Sequence, residues 1–364
     1  MPPRPSDATF DPMNAGLVSV IIPTYNRADC ITKAIDSVLG QTYSDIEVIL
    51  IDDGSEDDTR AVINDTYGKD ERVRYVYQQN GGVSAARNHG IRLVKGAYGA
   101  LLDSDDVWKP FKLELQLACL KAFPDAGMVW TNMTAVDIEG RIEAEYYLKT
   151  FYTAYRWFSS NDLFDQSRSL AEVEPDLALV VGDRRVYSGE IYSQMIMGNL
   201  VHTSTVLLTR ERLGHAGFFD ESRRSGEDHE FHLRACRAGR VAFVDVPSIL
   251  YQVGRTDQLT RPEYKVQMAT KFLSVVTSAL EQDRDRIKLA PHMIDEVLAD
   301  AHAWLGEALL ESGSQREARP HMRESLRHKP GQLRLLRLYA TAFLPPAAQQ
   351  QIRDAYQEVK KRLT

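Results

Sequence analysis

The sequence predicts an α/β fold, in which a mostly parallel sheet is flanked by helices and followed by an all-helical C-terminal appendage. From Leu17 onward, short apolar runs alternate with amphipathic stretches, which is typical of strand, helix and strand units. A polar motif follows each of the first four apolar runs, as expected where the strands of a parallel sheet end. Strand patterns disappear from Pro262 onward, which predicts the helical appendage.

The first half of the chain predicts four strands separated by three helices. Pro23 closes the first strand, and the first helix places Ile31 and Ile35 at helical spacing before it stops near Gly40. The second strand leads into a turn at Gly54, and the next helix carries acidic residues in its first turn, where the helix dipole favours them. In chain order these elements are LVSVIIPTYN, ADCITKAIDSVLGQ, EVILIDDGS, DDTRAVINDTYG, VRYVYQ, VSAARNHGIRLVKG and YGALLD.

The second half is less regular. Periodicity is weak between Arg141 and Gly198, and the aromatic stretch from Tyr146 to Phe158 is interpreted either as a substrate wall or as a lid or ordinary core. Two antiparallel helices around Gly313 are similar to one tetratricopeptide unit, too few repeats for a solenoid. Between these regions we expect a strand, a helix and a second strand interrupted at its proline, in HTSTVLLTR, GEDHEFHLRACRAG and VAFVDVPSILYQV.

These patterns divide the chain into four parts. Residues 1–16 are rich in proline and polar groups, which predicts a disordered tail without the apolar core of a secretory signal. Residues 17–137 and 138–260 are the two halves of the α/β domain. Residues 261–364 are the helical region, which we expect to pack on the sheet.

Composition excludes several classes of protein. Of the 364 residues, 43% are hydrophobic and 26% are charged, which is typical of a soluble globular protein. The net charge of -7 argues against a nucleic-acid partner. Cys30, Cys119 and Cys236 lie far apart, so a reducing compartment fits best. With no transmembrane segment in the sequence, we expect a cytoplasmic protein and leave peripheral association with the inner face of the membrane open.

The motif LLDSDD places Asp103, Asp105 and Asp106 where the fourth predicted strand reaches the surface. Carboxylates this close raise one another's pKa and repel, so a positive partner is expected. A divalent cation, Mg²⁺ or Mn²⁺, is the simplest such partner. The alternative is a helix N-cap cluster, but a cap needs only one carboxylate.

Each of the other polar motifs also has a structural alternative. The structural alternative for Asp53 in DDGS is a helix cap. The structural alternative for Arg87 in NGGVSAARN is a solvated position on the surface of a helix. The acidic pair Glu227 and Asp228 in SGEDHEF is equally typical of a helix start. The succession of four motifs at consecutive strand ends is more specific than any of them alone.

Five motifs together resemble the family-2 glycosyltransferases, which have the GT-A fold and use nucleotide-diphosphate sugars. They occur in the order and approximate spacing of that family, over about residues 17 to 255: VSVIIPTYNR, VILIDDGSEDDT, NGGVSAARNHG, LLDSDD and SGEDHEFHLR. The resemblance implies a Rossmann-like sheet, with residues 17–137 binding the nucleotide sugar and residues 138–260 binding the acceptor. It implies no particular sugar.

The resemblance also assigns roles to residues of the first half. Asp53 matches the carboxylate that accepts hydrogen bonds from the nucleotide base, for which an ionised acid is suited. Pro23, Thr24 and Tyr25 would line the same base pocket. Arg87 corresponds to a basic residue near the nucleotide, where a planar donor fork suits a diphosphate or a base carbonyl.

The acid cluster and the acidic helix start take the remaining roles. Asp103 and Asp105 match the DxD pair, with Asp103 holding the ribose or a metal-bound water, Asp105 ligating Mg²⁺ or Mn²⁺, and Asp106 assisting. Asp228 matches the catalytic aspartate, which takes the proton of the acceptor hydroxyl. Glu227 is its catalytic neighbour, but adjacent helical positions cannot both face one site, so Asp228 is preferred as the base.

One region departs from the family pattern. Many relatives carry a histidine after the last sheet strand, whereas here that region reads YQVGRTDQLT, in which Arg255 is the candidate for contacting the diphosphate. His202 and His229 are interpreted as packing or surface residues.

The predicted function is an inverting, metal-dependent sugar transfer from a nucleotide donor, with a UDP-sugar preferred. The expected acceptor is a hydroxyl on a growing cell-surface glycan or its lipid carrier. Two alternatives remain open: a nucleotidyltransferase, which would not need Asp228, and a non-catalytic sugar- or partner-binding protein that retains the fold.

Overall fold

A computed structural model describes residues 16–222, 226–255 and 264–344. Apart from Gly16, the predicted tail therefore lies outside the described residues. The chain divides into two compact units, Met1–Gln258 and Leu259–Thr364. Within the described ranges, no helix is long and apolar enough to cross a membrane.

The first unit combines eleven strands with helices in its described part. Its strands are β1 Val18–Thr24, β2 Ile46–Asp52, β3 Val73–Tyr77, β4 Tyr98–Leu101, β5 Val107–Trp108, β6 Met128–Val136, β7 Ile142–Ala144, β8 Gln166–Ser169, β9 Arg185–Gly189, β10 Leu207–Thr209 and β11 Val241–Gln252. Its helices are α1 Ile31–Leu39, α2 Thr59–Tyr67, α3 Val83–Leu93, α4 Lys112–Ala122, α5 Leu148–Phe151, α6 Ser160–Leu163, α7 Leu170–Val173, α8 Pro175–Val181, α9 Tyr192–Met195, α10 Arg210–Ala216 and α11 Glu227–Arg237.

These strands form one mixed sheet in the order β3-β2-β1-β4-β10-β6-β11-β9-β8, with β5 on β11 and β7 on β6. Strands β1 to β4 pair in parallel, as the alternation of strands and helices predicted. Strand β10 lies antiparallel between β4 and β6, whereas β6 and β11 are parallel. Towards β8 the pairing is antiparallel.

Burial of both sheet faces explains why β1 and β2 are almost continuous apolar runs. Every residue of β1 is buried, and helices α1 and α3 pack on this part of the sheet. Gly90 of α3 allows a close approach, since a Cβ there would lie 2.3 Å from Ile21 Cγ2. The parallel register sets Thr24 opposite Asp52, so the loops after both strands leave from the same edge.

Three segments of the second half differ from the sequence pattern. The predicted strand HTSTVLLTR forms a 3-10 helix at Thr203–Thr205 and only then the short strand β10. Pro247 does not interrupt β11, but the pairing with β6 shifts register on both sides of it, because proline offers no N–H to the ladder. The aromatic stretch folds as α5 and a 3-10 helix at Thr153–Trp157.

The second unit is helical in its described part. Its elements are α12 Lys265–Gln282, a 3-10 helix Arg284–Arg286, α13 Pro291–Glu311, α14 Gln315–His328 and α15 Leu333–Thr341. Helices α13 and α14 form the predicted antiparallel pair, which turns at Gly313 with a φ of +86°. Ala308, Leu309 and Ala318 are buried between them and Leu326 is partly buried, as their helical spacing predicted.

Candidate active site

Asp53 holds the loop that leads from β3 into α3. Its Oδ1 accepts hydrogen bonds from Gln78 Nε2 at 2.7 Å and from the Gly81 N–H at 2.9 Å. Its Oδ2 accepts from the Gly82 N–H at 2.8 Å, and the residue is only 4% exposed. The φ of +89° at Gly82 is available to glycine and turns this N–H inward. The acid that the sequence assigned to the base pocket therefore shapes the NGG loop as well.

The end of β1 supplies the other predicted base-pocket residues. Pro23 and Thr24 are buried, whereas Tyr25 is 43% exposed. The Thr24 carbonyl accepts a hydrogen bond from the Asp53 N–H at 2.8 Å, which joins the ends of β1 and β2. Thr24 Oγ1 is buried and has no hydrogen-bond partner among the described residues. An exposed aromatic ring and a buried hydroxyl thus flank Asp53 at the carboxyl edge of the sheet.

The three acids after β4 differ in their surroundings. The Asp103 side chain is 29% exposed, and its backbone N–H donates to Ser204 Oγ at 3.1 Å. Burial and the charges of Asp106 and Asp103 raise the pKa of Asp105 to about 7. Asp106 is buried, and its burial raises its pKa although His202 lies beside it. The cluster therefore carries more like charge than its environment readily accommodates.

His202 links the acid cluster to the aromatic stretch. Its Nε2 lies 3.5 Å from Asp106 Oδ2, and its Nδ1 lies 3.2 Å from the Tyr152 hydroxyl. Burial alone would lower the pKa of His202, but Asp106 and Asp103 raise it above its ordinary value. The ring also meets Tyr251 edge-on, with 4.8 Å between centroids. The histidine that the sequence assigned to packing is buried, and it is also the neighbour of an acid of the LLDSDD motif.

Arg87 joins the acid cluster to the start of α11. One terminal nitrogen lies 2.7 Å from Asp103 Oδ1 and the other 2.7 Å from Glu227 Oε1. Arg87 is 5% exposed, and its guanidinium lies over the Phe219 ring at 5.2 Å. Glu227 is also 5% exposed. Both terminal nitrogens of the arginine are therefore engaged inside the protein.

Asp228 is placed differently from its neighbour Glu227. It is partly exposed, and Asn199 Nδ2 donates to its Oδ2 at 3.0 Å. Burial is the largest cause of the raised pKa of Tyr152, and the charge of Asp228 is the next largest. The charge of Asp103 also raises this pKa. The two adjacent helical positions thus have different partners, since Glu227 pairs with Arg87 and Asp228 accepts from Asn199.

Arg255 and His229 each have a partner other than the acids of the LLDSDD motif. Arg255 Nη1 pairs with Asp29 Oδ2 at 3.0 Å, and the Arg255 side chain is 16% exposed. The residues that follow Arg255 in YQVGRTDQLT lie outside the described residues. His229 is buried and its Nε2 lies 2.8 Å from the Met195 carbonyl, in agreement with a packing role.

The carboxylates of the cluster fit a hard divalent cation in their chemistry. Asp106 Oδ2 is buried and has His202 Nε2 nearby, at 3.5 Å, and Asp105 lies among like charges. In the described part of the chain, no group of three or more His, Cys, Asp or Glu side chains is arranged to hold a metal ion. Mg²⁺ in proteins is commonly held by one or two carboxylates and takes its other ligands from water and substrate phosphates.

Sequence reasoning did not assign roles to Asn199 or His232. His232 follows Asp228 by one helical turn, is fully buried, and neither ring nitrogen has a hydrogen-bond partner in the described structure. Burial lowers its pKa to about 3, so the ring is neutral. The i, i+4 spacing from Asp228 was the available signal. Asn199 lies 29 residues before Asp228, directly after the weakly patterned region, and no sequence signal marked it.

Solved structures of other proteins share this fold. A crystal structure of S. aureus TarS 1–349 in complex with UDP-GlcNAc aligns with a TM-score of 0.51 and 16% identity, over 93% of this chain and 92% of that chain. At this identity the likeness is one of fold. The mixed sheet flanked by helices is the GT-A fold, which confirms the predicted fold class together with the helical C-terminal region.

Sequence comparisons show similarity to one family of enzymes. Residues 19–192 match the model described as Glycosyl transferase family 2. An uncharacterized glycosyltransferase of Rickettsia typhi is 32% identical over 231 residues, which cover 62% of this chain and 61% of that protein. A chondroitin synthase of Escherichia coli is 37% identical over 137 residues, 38% of this chain and 20% of that protein. Over residues 19–192 this chain is similar to the family-2 glycosyltransferases, and it spans less than two thirds of the length of these relatives.

Proposed function

We propose that this protein is an inverting glycosyltransferase that moves a sugar from a nucleoside diphosphate, preferably UDP, to an acceptor hydroxyl. The observation that carries the proposal is the arrangement of two carboxylate sets on one arginine. Arg87 pairs with Asp103 of the acid cluster and with Glu227, the residue next to Asp228. The family match supports sugar transfer, and the related fold of TarS was crystallised with UDP-GlcNAc.

The donor is assigned to the carboxyl edge of β1, β2 and β4. Tyr25 offers an exposed ring, Thr24 a buried hydroxyl, and Asp53 a carboxylate next to the NGG loop for the nucleotide base. Asp103 and Asp105 are the proposed ligands of Mg²⁺ or Mn²⁺, with oxygen donors that such ions prefer. When bound, the ion supplies charge stabilisation for the departing diphosphate.

Asp228 is the proposed general base. Its carboxylate takes the proton of the acceptor hydroxyl, whose oxygen then forms a bond to the anomeric carbon. The bond from that carbon to the diphosphate oxygen breaks on the opposite face, so the configuration inverts. The hydrogen bond from Asn199 Nδ2 at 3.0 Å holds one carboxylate oxygen and leaves the other for the hydroxyl.

The acceptor is proposed to be a glycan or lipid-linked hydroxyl that meets the aromatic rings next to the acids. Tyr152 and Tyr251 are partly exposed, and the carboxylates of the crevice influence both of their hydroxyls. Faces of tyrosine rings suit the apolar face of a sugar. A cell-surface acceptor and peripheral contact with a membrane belong to the same proposal.

Thermal unfolding with and without UDP and Mn²⁺ tests the donor. A ligand that binds only the native state stabilises it, by about 2.7 kcal/mol at a concentration one hundred times its Kd. We expect a rise in Tm with UDP plus Mn²⁺ and a smaller one without the metal, with Asp105→Asn abolishing the metal-dependent part. A panel of nucleotide sugars then identifies the donor by hydrolysis and transfer. An unchanged Tm with every nucleotide, together with no turnover of any donor, would refute the proposal.

A further inference from the structure

We propose that Arg87 is a positioning residue, which holds Asp103 and the base-bearing start of α11 in one fixed arrangement through its two ion pairs. The inference rests on the proposed function and gives Arg87 a role other than the direct nucleotide contact that the family resemblance implies. In this role the arginine acts through Asp103 and Glu227.

The contacts and the burial of Arg87 support a role inside the protein. Asp103 and Glu227 are 16 and 140 residues from Arg87 in sequence, yet each accepts from one of its terminal nitrogens at 2.7 Å. The Arg87 side chain is 6% exposed and the Glu227 side chain is 7% exposed. The Phe219 ring covers the guanidinium at 5.2 Å. A diphosphate that approached from solvent would therefore meet Asp103, which is 29% exposed, before it met Arg87.

Only arginine fulfils this geometry among the cationic side chains. The planar guanidinium carries donors on both terminal nitrogens in a rigid fork, so it binds two carboxylates in different directions at once. The lysine ammonium is a single point charge and would have to favour one of the two acids. Removal of either partner leaves a buried charge without its counter-ion, which is strongly unfavourable.

The two ion pairs of Arg87 also determine where Asp228, the proposed base, is held. Glu227 is the first residue of α11, so its ion pair fixes the first turn of the helix that carries the base. Asp103 follows β4 and belongs to the acid cluster on the donor side. Arg87 therefore sets the position of the base relative to the donor-binding acids. Since a misplacement of 1 Å at a reacting centre reduces a rate by about 100-fold, loss of the link should reduce kcat.

The test compares Glu227→Gln and Arg87→Lys with Arg92→Lys as the matched control. Arg92 lies on the same helix, is 49% exposed, and pairs with Glu221 at 3.8 Å on the surface. Steady-state kinetics with the donor found in the nucleotide-sugar panel gives kcat and KM, and calorimetric titration with UDP and Mn²⁺ gives the nucleotide Kd. Thermal unfolding of each variant reports whether it is folded. If Arg87→Lys does not fold, Glu227→Gln still tests the inference.

We expect Glu227→Gln and Arg87→Lys to lower kcat by about 100-fold while the UDP Kd stays within about threefold of the wild-type value. The Arg92→Lys variant should match the wild type in both measurements. A Glu227→Gln variant with wild-type kcat overturns the inference, as does an Arg87→Lys variant that loses UDP affinity with kcat unchanged. A wild-type protein that turns over no nucleotide sugar refutes the proposed function instead, so the two failures are distinguishable.

Discussion

Replacement of Asp53 by asparagine is expected to destabilise the first unit because it disrupts a buried set of hydrogen bonds. The carboxylate accepts from Gln78 Nε2 and from the N–H groups of Gly81 and Gly82, at 2.7, 2.9 and 2.8 Å respectively. An asparagine side chain has one acceptor oxygen and one NH₂ group. Whichever way the amide turns, at least one of the three donors faces another donor.

The expected decrease in the free energy of unfolding follows from these contacts. A buried donor left without an acceptor costs about 1–3 kcal/mol, and hydrogen bonds to a charged group contribute about 1.5–3 kcal/mol each, more than neutral ones. One lost acceptor together with the loss of charge at the remaining bonds gives about 2–4 kcal/mol for Asp53→Asn. The residue is 4% exposed, so water cannot replace the lost acceptor at low cost.

Urea unfolding followed by circular dichroism measures this change in the free energy of unfolding. The matched control is Asp137→Asn, which removes a carboxylate that also accepts from two backbone N–H groups, those of Glu139 and Arg141 at 2.9 Å, but in an exposed turn. Water can satisfy those groups, so the control should have a much smaller effect. Equal free-energy changes for the two variants would show that the Asp53 carboxylate does not hold the NGG loop.

Three further perturbations test other parts of the molecule. Asp228→Asn should lower kcat by about 10²–10⁴-fold and leave UDP affinity unchanged, as measured by kinetics and calorimetry, and retained turnover would eliminate Asp228 as the base. Burial and the neighbouring His321 lower the pKa of His302 to about 4, below its ordinary 6.5. The neutral pair, with 3.0 Å between the Nδ1 atoms, is therefore fully stabilised above pH 6.5 and loses stability as the pH falls towards 4. The Tm of the second unit should fall over that range, and less so in His302→Asn; an identical pH dependence in the variant would contradict this. Gly90→Ala should reduce the free energy of unfolding by about 2 kcal/mol, since its Cβ would lie 2.3 Å from Ile21 Cγ2, and an unchanged value in urea unfolding would contradict the close packing of α3 on β1.

The strands and helices that could be predicted from the sequence are those whose own residues show an apolar pattern. Helices α1 to α3 and strands β1, β3 and β4 lie within the predicted stretches, and β2 begins one residue before its stretch, because burial on both faces or on one helical face leaves a recognisable apolar pattern. Strand β8 has the sequence QSRS and is mostly exposed, so it has no such pattern. It is a strand because β9 offers it an antiparallel edge, and that depends on residues far along the chain.

The candidate active site likewise contains residues that could be predicted from the sequence and a contact that could not. Asp103, Asp105 and Asp106 were predictable as a group, since one loop at the end of a buried strand carries all three. The Arg87 to Glu227 ion pair joins residues 140 positions apart, and no spacing in the sequence indicates it. Tertiary packing alone determines which acid each buried cation meets.

Pairing each acid with its cation distinguishes the members of the LLDSDD cluster. Asp103 has the Arg87 guanidinium at 2.7 Å, which with its hydrogen bond holds the pKa of that carboxyl below its ordinary value despite burial. Asp106 has His202 at 3.5 Å, and the carboxylates raise the pKa of that imidazole towards the charged form. Asp105 is the acid whose pKa rises to about 7, through burial and then the charges of Asp106 and Asp103. Burial raises the pKa of Asp106 as well, despite His202. Of the three acids, Asp103 is therefore the one whose charge the fold balances with its own side chains, and a divalent ion would relieve repulsion at Asp105 and Asp106.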